Sequence, residues 1–335
     1  MNIWVPKFKI IEPDRELELP IPRVSGRFVS LETVRPDGTV REKVGGFSNL
    51  ILNAGLDMLG NVIFQTSRCA VGTGSTAPAP TQNTLVSQLA VTSTVQSVTG
   101  NTSGTAPYLC TRTIVYRFAA GAAVGNLSEI GVGSNTGTPM PCFSRELIRD
   151  GMGNPTTLTV LSDEFLDVTY QVTLAPPLSD VTGTFSISGT PYDYTLRAAL
   201  VGTRVSYSQG WGLNTASSGA TLFNGGQSFV AADTTAFNGS IGAVTAQPSG
   251  TSSNASSISS LSYTTGNYYR DFSAVWGLGN GNLAGGIKSV LYRLGFSSGN
   301  ASEARMNFQI EYDTAIPKND TQVLTLPFRH SWGRV

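Results

Sequence analysis

The chain has 335 residues, 22 basic and 22 acidic, for a formal net charge of zero, and only 13% of its residues are charged, against roughly 25% in an average soluble domain. Neutrality withholds the basic footprint that nucleic-acid binding or adsorption to an anionic membrane requires. No run approaches the ~18 apolar residues of a membrane-spanning helix.

Residues 1–26 hold Pro6, Pro13, Pro20 and Pro22 without hydrophobic periodicity. They read as an extended arm rather than a packed element. The opening Met1-Asn2-Ile3-Trp4-Val5-Pro6-Lys7 lacks the apolar centre of a secretory signal, so synthesis in a reducing cytoplasm is expected. A hairpin follows. Residues 27–35 alternate, Pro36-Asp37-Gly38 supplies the turn, and residues 39–44 alternate back. Leu52, Leu56 and Leu59 then fall at helical spacing, with Asn53 placed as N-cap and Gly60 as C-cap. A second helical turn is expected at residues 82–89, behind Pro80 and Thr81.

The remainder reads as strands at residues 108–118, 127–132, 142–148 and 165–174. The last is the clearest: Leu166, Val168, Tyr170, Val172 and Leu174 share one face, and Asp167, Thr169 and Gln171 the other. Ala175-Pro176-Pro177 marks a boundary. Beyond it, residues 205–300 carry five charges, Asp233, Arg270, Asp271, Lys288 and Arg293. Disordered segments are poor in aromatics, whereas Phe223, Phe229, Phe237, Tyr263, Tyr268, Tyr269 and Trp276 punctuate this stretch, so it is expected to fold. The reading is all-β: an arm over 1–26, then two mainly antiparallel, β-sandwich-like domains over 27–175 and 176–335, with one or two short helices. An echo links the halves. Gly125-Asn126-Leu127, a strand near Ile130, a strand at 144–148, a Pro155 loop and a strand ending at 170–174 match Gly281-Asn282-Leu283, Ile287–Val290, a strand at 306–312, a Pro317 loop and a strand at 321–328.

Catalytic chemistry is sparse. His330 is the one histidine, so a nucleophilic triad would have to use it and a histidine metal cluster is impossible; it is expected at a surface or interface. No serine sits in a nucleophile elbow. Val71-Gly72-Thr73-Gly74-Ser75-Thr76-Ala77 fits a dinucleotide fingerprint, but Pro78 and Pro80 deny it the helix it needs, so it is expected to be a wide turn. Asp163, Glu164, Asp167 and Glu129 are the carboxylates a glycosidase could pair, though they are expected to be solvated at strand ends. Trp211, Tyr268 and Tyr269 could stack on sugars, with core packing the plainer use. Cys69, Cys110 and Cys142 fit no redox or zinc spacing and are expected as small buried hydrophobes. No catalytic, cofactor-binding or metal-ligating residue is therefore assigned, and no enzyme is expected.

Six segments carry a family resemblance: Phe47-Ser48-Asn49-Leu50-Ile51-Leu52-Asn53-Ala54-Gly55-Leu56-Asp57, the loop 71–80, Tyr116-Arg117-Phe118-Ala119-Ala120-Gly121, Asn126-Leu127-Ser128-Glu129-Ile130-Gly131-Val132-Gly133, Phe143-Ser144-Arg145-Glu146-Leu147-Ile148, and the ending Leu324-Thr325-Leu326-Pro327-Phe328-Arg329-His330-Ser331-Trp332-Gly333-Arg334. Together they resemble structural proteins of tailed-bacteriophage particles, the tail-fibre, collar and minor tail components. The resemblance implies a place in a virion, made in the host cytoplasm, with other virion proteins and further copies of the chain as partners. It also implies the trimeric state common among fibres. The N-terminal arm and first domain would dock on the particle, and the charge-poor second half would form the multimer or face outward. Receptor or host-glycan binding, capsid decoration and polysaccharide depolymerisation are the alternatives. No nucleic acid or membrane insertion is expected.

Overall fold

The computed structural model of the chain describes residues 8–61, 66–134, 137–199, 211, 213, 227–234, 250–260, 262–295 and 305–335. Phe223 and Phe237 lie outside them. The protein is all-β with one helix among the described residues. In the first half run β1 (Lys9–Ile11), β2 (Leu17–Glu18), β3 (Arg23–Val34), β4 (Val40–Val44), β5 (Phe47–Ile51), helix α1 (Asn53–Asn61), β6 (Arg68–Gly72), β7 (Gln88–Thr92), β8 (Val95–Thr102), β9 (Cys110–Phe118), β10 (Gly125–Leu127), β11 (Glu129–Gly133), β12 (Cys142–Leu147), β13 (Leu158–Val160) and β14 (Phe165–Ala175). The second half adds β15 (Val181–Ile187), β16 (Thr190–Ala198), β17 (Gln227–Ala232), β18 (Ser252–Asn254), β19 (Ser257–Ser260), β20 (Tyr269–Trp276), β21 (Ile287–Gly295), β22 (Arg305–Ile316), β23 (Gln322–Ser331) and β24 (Gly333–Arg334).

Local sequence explains the clearest elements. The 36–38 turn joins β3 to β4, with Gly38 at φ 85° and the Asp37 carboxylate accepting the Thr39 amide at 2.9 Å. Strand β14 alternates as its sequence does, its apolar face fully buried between β3 and β9. Arg112 stands on the buried face of β9, and its guanidinium donates to Thr66 Oγ1 at 2.9 Å.

Helix α1 starts one residue earlier than its sequence implies. The Leu56 amide donates to the Leu52 carbonyl, which makes Leu52 the cap, while the Asn53 side chain accepts from Arg334. Gly60 lies inside the helix, not beyond it. A Cβ there would come within 2.5 Å of the Tyr263 ring, so glycine is required for close packing. The second helical turn at 82–89 does not form. Leu89 belongs to β7, and the Gln82 side chain accepts the Ala79 amide and bonds Arg145. Side-chain bonds to the local backbone compete with helix here.

Eleven strands make the first sheet, in the order β7-β6-β11-β12-β5-β3-β14-β9-β8 with β4 and β24 also on β3. It curls until Thr92 Oγ1, at the end of β7, donates to the Arg117 carbonyl of β9 at 2.8 Å. Chain membership changes at Pro176-Pro177: the next sheets are β15-β16-β22-β21-β17-β18 and β1-β23-β20-β19, with β2 also on β23. An aromatic stack fills the space between these two. Phe229 of β17 lies 4.8 Å from Phe328 of β23, and Phe308 of β22 lies 5.8 Å from His330. One hydrophobic core runs through both halves.

The halves share a strand order. Antiparallel hairpins β6–β7, β8–β9 and β11–β12 correspond to β17–β18, β19–β20 and β21–β22. In each half the third hairpin lies between the first hairpin and an earlier strand, β5 or β16. In each, the closing strand, β14 or β23, pairs with the second hairpin. The sequence echo thus maps onto equivalent strands: β11, β12 and β14 against β21, β22 and β23. The difference is β3, which bridges β14 to β5 and makes one sheet of the first half. Among the described residues no strand of the second half bridges β23 to β16, and their strands form two sheets.

Of the arm read over 1–26, residues 1–7 lie outside the described residues; residues 8–26 are extended, as their prolines require, but they are packed. Strands β1 and β2 lie parallel on β23, and Ile11, Leu17 and Leu19 are buried. Alternation fails as a guide here because only one or two residues per segment enter the core.

Candidate functional site

Three of the six resemblance segments, 71–80, 126–133 and 143–148, meet at Glu129 and Arg145. Strand β12 is buried along its whole length, so Arg145 emerges inside the protein. Its partner Glu129 opens β11, and both side chains are fully buried. Arg145 Nη2 donates to Glu129 Oε2 at 2.7 Å and to the Thr76 carbonyl at 3.1 Å. The carboxylate also accepts the amides of Gly74 at 3.1 Å, Val86 at 3.0 Å and Ser87 at 2.7 Å. The glycine-rich segment is therefore a wide loop between β6 and β7, wrapped around a buried carboxylate. Its glycines have a steric purpose: a Cβ on Gly72 or Gly74 would strike Glu129 or the loop backbone. With four donors on two oxygens and no solvent access, Glu129 is committed to holding the loop.

The flanking segments lock onto this frame. The Leu52 amide donates to the Phe143 carbonyl at 3.0 Å and the Asn53 amide to the Pro80 carbonyl at 2.8 Å. The chain's ending reaches the same place. Trp332 Nε1 donates to the Leu56 carbonyl at 2.9 Å, Arg334 to Asn53. Asp57 accepts from Tyr263 at 2.6 Å and from the Gly266 amide at 2.7 Å.

The other candidates disperse. Glu164 is buried rather than solvated, clamped by Arg41 and the Leu161 amide, and the Arg41 bond holds its pKa below the carboxylate norm. Asp167 pairs with Arg117 through bonds of 2.7 and 2.6 Å, and Asp163 is exposed in a turn. His330 is buried beside Phe308, Tyr292 and Trp332, not at the surface; desolvation lowers its pKa to about 3. An even-numbered position on a strand with a fully buried face places it there. Trp211 is core, its Nε1 donating to the Asn307 carbonyl at 3.0 Å. The Tyr269 ring carries the Arg329 guanidinium 3.8 Å from its centroid. All three cysteines are free and buried, and burial pushes the Cys110 and Cys142 thiols up to about 12. Among the described residues no group of three His, Cys, Asp or Glu could hold a metal ion.

Two shallow grooves lie among the described residues. One, of about 440 Å³, is lined by Glu42, Lys43, Gly46, Asp150 and Thr156; Asp150 is engaged in its own turn, accepting the Met152 and Asn154 amides. The other, of about 310 Å³, lies over Gly183, Asp193, Tyr194 and Asp313. Neither brings a nucleophile, base and electrophile together.

Sequence reasoning treated Glu129 as a solvated carboxylate and missed Arg145 as its partner. The available signal was one charge of each sign on short apolar strands 16 residues apart, where burial demands pairing. Comparison with models of known families, with curated proteins and with solved structures finds no match to this chain.

Proposed function

We propose that the chain is a structural subunit of a tailed-bacteriophage particle, a collar or tail appendage protein that acts by assembly and binding. What supports the reading is the use made of the resemblance segments. Five of the six converge on one buried frame, in which every polar group named above is spent on holding loops and termini together. Residues shared for a fold are expected to look like this, whereas residues shared for a reaction line a cleft. The charge-poor surface is consistent with burial in symmetric contacts. The carboxylates that motivated a depolymerase reading are paired or far from a common groove, so that reading has no geometric support of its own.

Imaging of the particle with a gold-labelled antibody against this chain tests the proposal. Label at the neck or tail is expected. Label over the head would make the chain a decoration protein, and the absence of label from intact particles would overturn the structural reading.

A further inference from the structure

Among the described residues the second half has no bridging strand of its own, and the seat beside β23 is filled by residues 9–18. In the first half β3 covers β14 along its length. The equivalent strand of the second half, β23, is covered by residues that precede β3. Lys9, Ile10 and Ile11 pair with Gln322, Val323 and Leu324, and Leu17 and Glu18 pair with Phe328 and Arg329. Between them Pro13 bridges to Ile187 of β15. The Asp14 amide donates to the Ser186 carbonyl at 2.9 Å, and the Ser186 amide donates to the Asp14 carboxylate at 2.9 Å. The segment thus joins the two sheets that the missing bridge leaves apart. Ile11, Leu17 and Leu19 enter the core, so an empty seat would expose apolar surface and the hydrogen-bonding edge of β23.

The segment is also detachable in principle. It pairs parallel to β23, so no hairpin ties it there. It leaves the seat through Pro20-Ile21-Pro22, where neither proline nitrogen can donate a hydrogen bond and Ile21 is exposed. A seat filled by a strand from outside the fold is the logic of strand addition between chains. The same contacts form whether the strand comes from the chain itself or from an identical neighbour.

We propose that residues 8–19 are an exchangeable strand, and that in the assembled protein each copy seats this strand on β23 of a second copy. Exchange links copies without any new surface, and the high local concentration in an assembly favours it. The inference rests on the assembly reading above and adds the element that joins the copies.

A disulfide between registered positions tests it. Ile10 and Val323 face each other across β1 and β23 on the half-exposed side, and the three native cysteines are buried. The full-length Ile10→Cys/Val323→Cys protein is oxidised, its remaining thiols are blocked, and it is run on a non-reducing denaturing gel, with each single variant as control. Covalent multimers that depend on both cysteines are expected. Crosslinked monomer alone would overturn the exchange, and so would the absence of any crosslink, because the pairing itself would then be missing. Light scattering on the wild-type protein separates the two proposals. A multimer with crosslinked monomers ends the exchange and leaves the assembly reading standing, whereas a monomer by both measures removes both.

Discussion

Replacing Glu129 by methionine should be among the most damaging single changes in this protein, and more damaging than the same change at its partner Arg145. Methionine keeps the bulk of either side chain. The Glu129 carboxylate satisfies the amides of Gly74, Val86 and Ser87 as well as Arg145. An unsatisfied buried donor costs ~1–3 kcal/mol; with two of these three only partly buried, the low end applies, about 3 kcal/mol together. Stranding a buried guanidinium adds ~3–5 kcal/mol. The total, on the order of 6 kcal/mol or more, approaches the whole stability of an ordinary domain. Arg145→Met strands the carboxylate but leaves it three amide donors, so its cost should be about 3 kcal/mol smaller. The double variant removes the stranded guanidinium and should be more stable than Glu129→Met by about 3 kcal/mol. Equilibrium urea unfolding followed by circular dichroism, with soluble yield as a second readout, measures all three. If Glu129→Met is no worse than Arg145→Met, or the double variant no better than Glu129→Met, the pair is not the buried support of the 73–87 loop.

Gly60→Ala should lower the melting temperature although alanine is the better helix former by about 1 kcal/mol, because its Cβ would meet the Tyr263 ring at 2.5 Å; overpacking of this kind costs ~1–3 kcal/mol, and a rise in melting temperature would show that Tyr263 is not seated there. His330 should make stability fall with acid. Its pKa is lowered by burial from 6.5 to about 3, so below about 6.5 the unfolded chain binds a proton that the folded chain refuses. The contribution is fully present above that pH and is lost as pH falls toward about 3, at up to about 1.4 kcal/mol per unit. His330→Phe should flatten the slope measured by urea unfolding between about pH 6 and 4, and an unchanged slope would refute the assignment.

Much of the fold was legible because its strands obey simple period-two burial. The 27–44 hairpin and the strands read at 108–118 and 165–174 follow from alternation and turn residues, and the echo of 125–174 in 281–328 falls on equivalent strands. The interior polar frame was not legible, since a charged residue at a strand end reads as solvated unless its partner is known. Glu129 and Arg145 meet only through the pairing of β11 with β12. Nor was the packing of residues 8–19, where the partner strand lies at the other end of the chain. The Gln82 region misled because Pro80 and Thr81 mimic a helix start, while tertiary bonds to Arg145 and to the Ala79 amide decide the conformation.

The long-range contacts of residues 332–334 have consequences for folding during synthesis. Strand β3 is completed by Gly333 and Arg334, and helix α1 takes a hydrogen bond from Trp332, 276 residues away. Strand β3 and helix α1 therefore wait for residues made at least 276 positions later. Long-range closure of this kind is slow, and it means that a truncated nascent chain has neither its first sheet nor its helix finished. The fold itself thus distinguishes a chain that reaches Arg334 from one that stops before it, because only the former can close β3 and fasten α1.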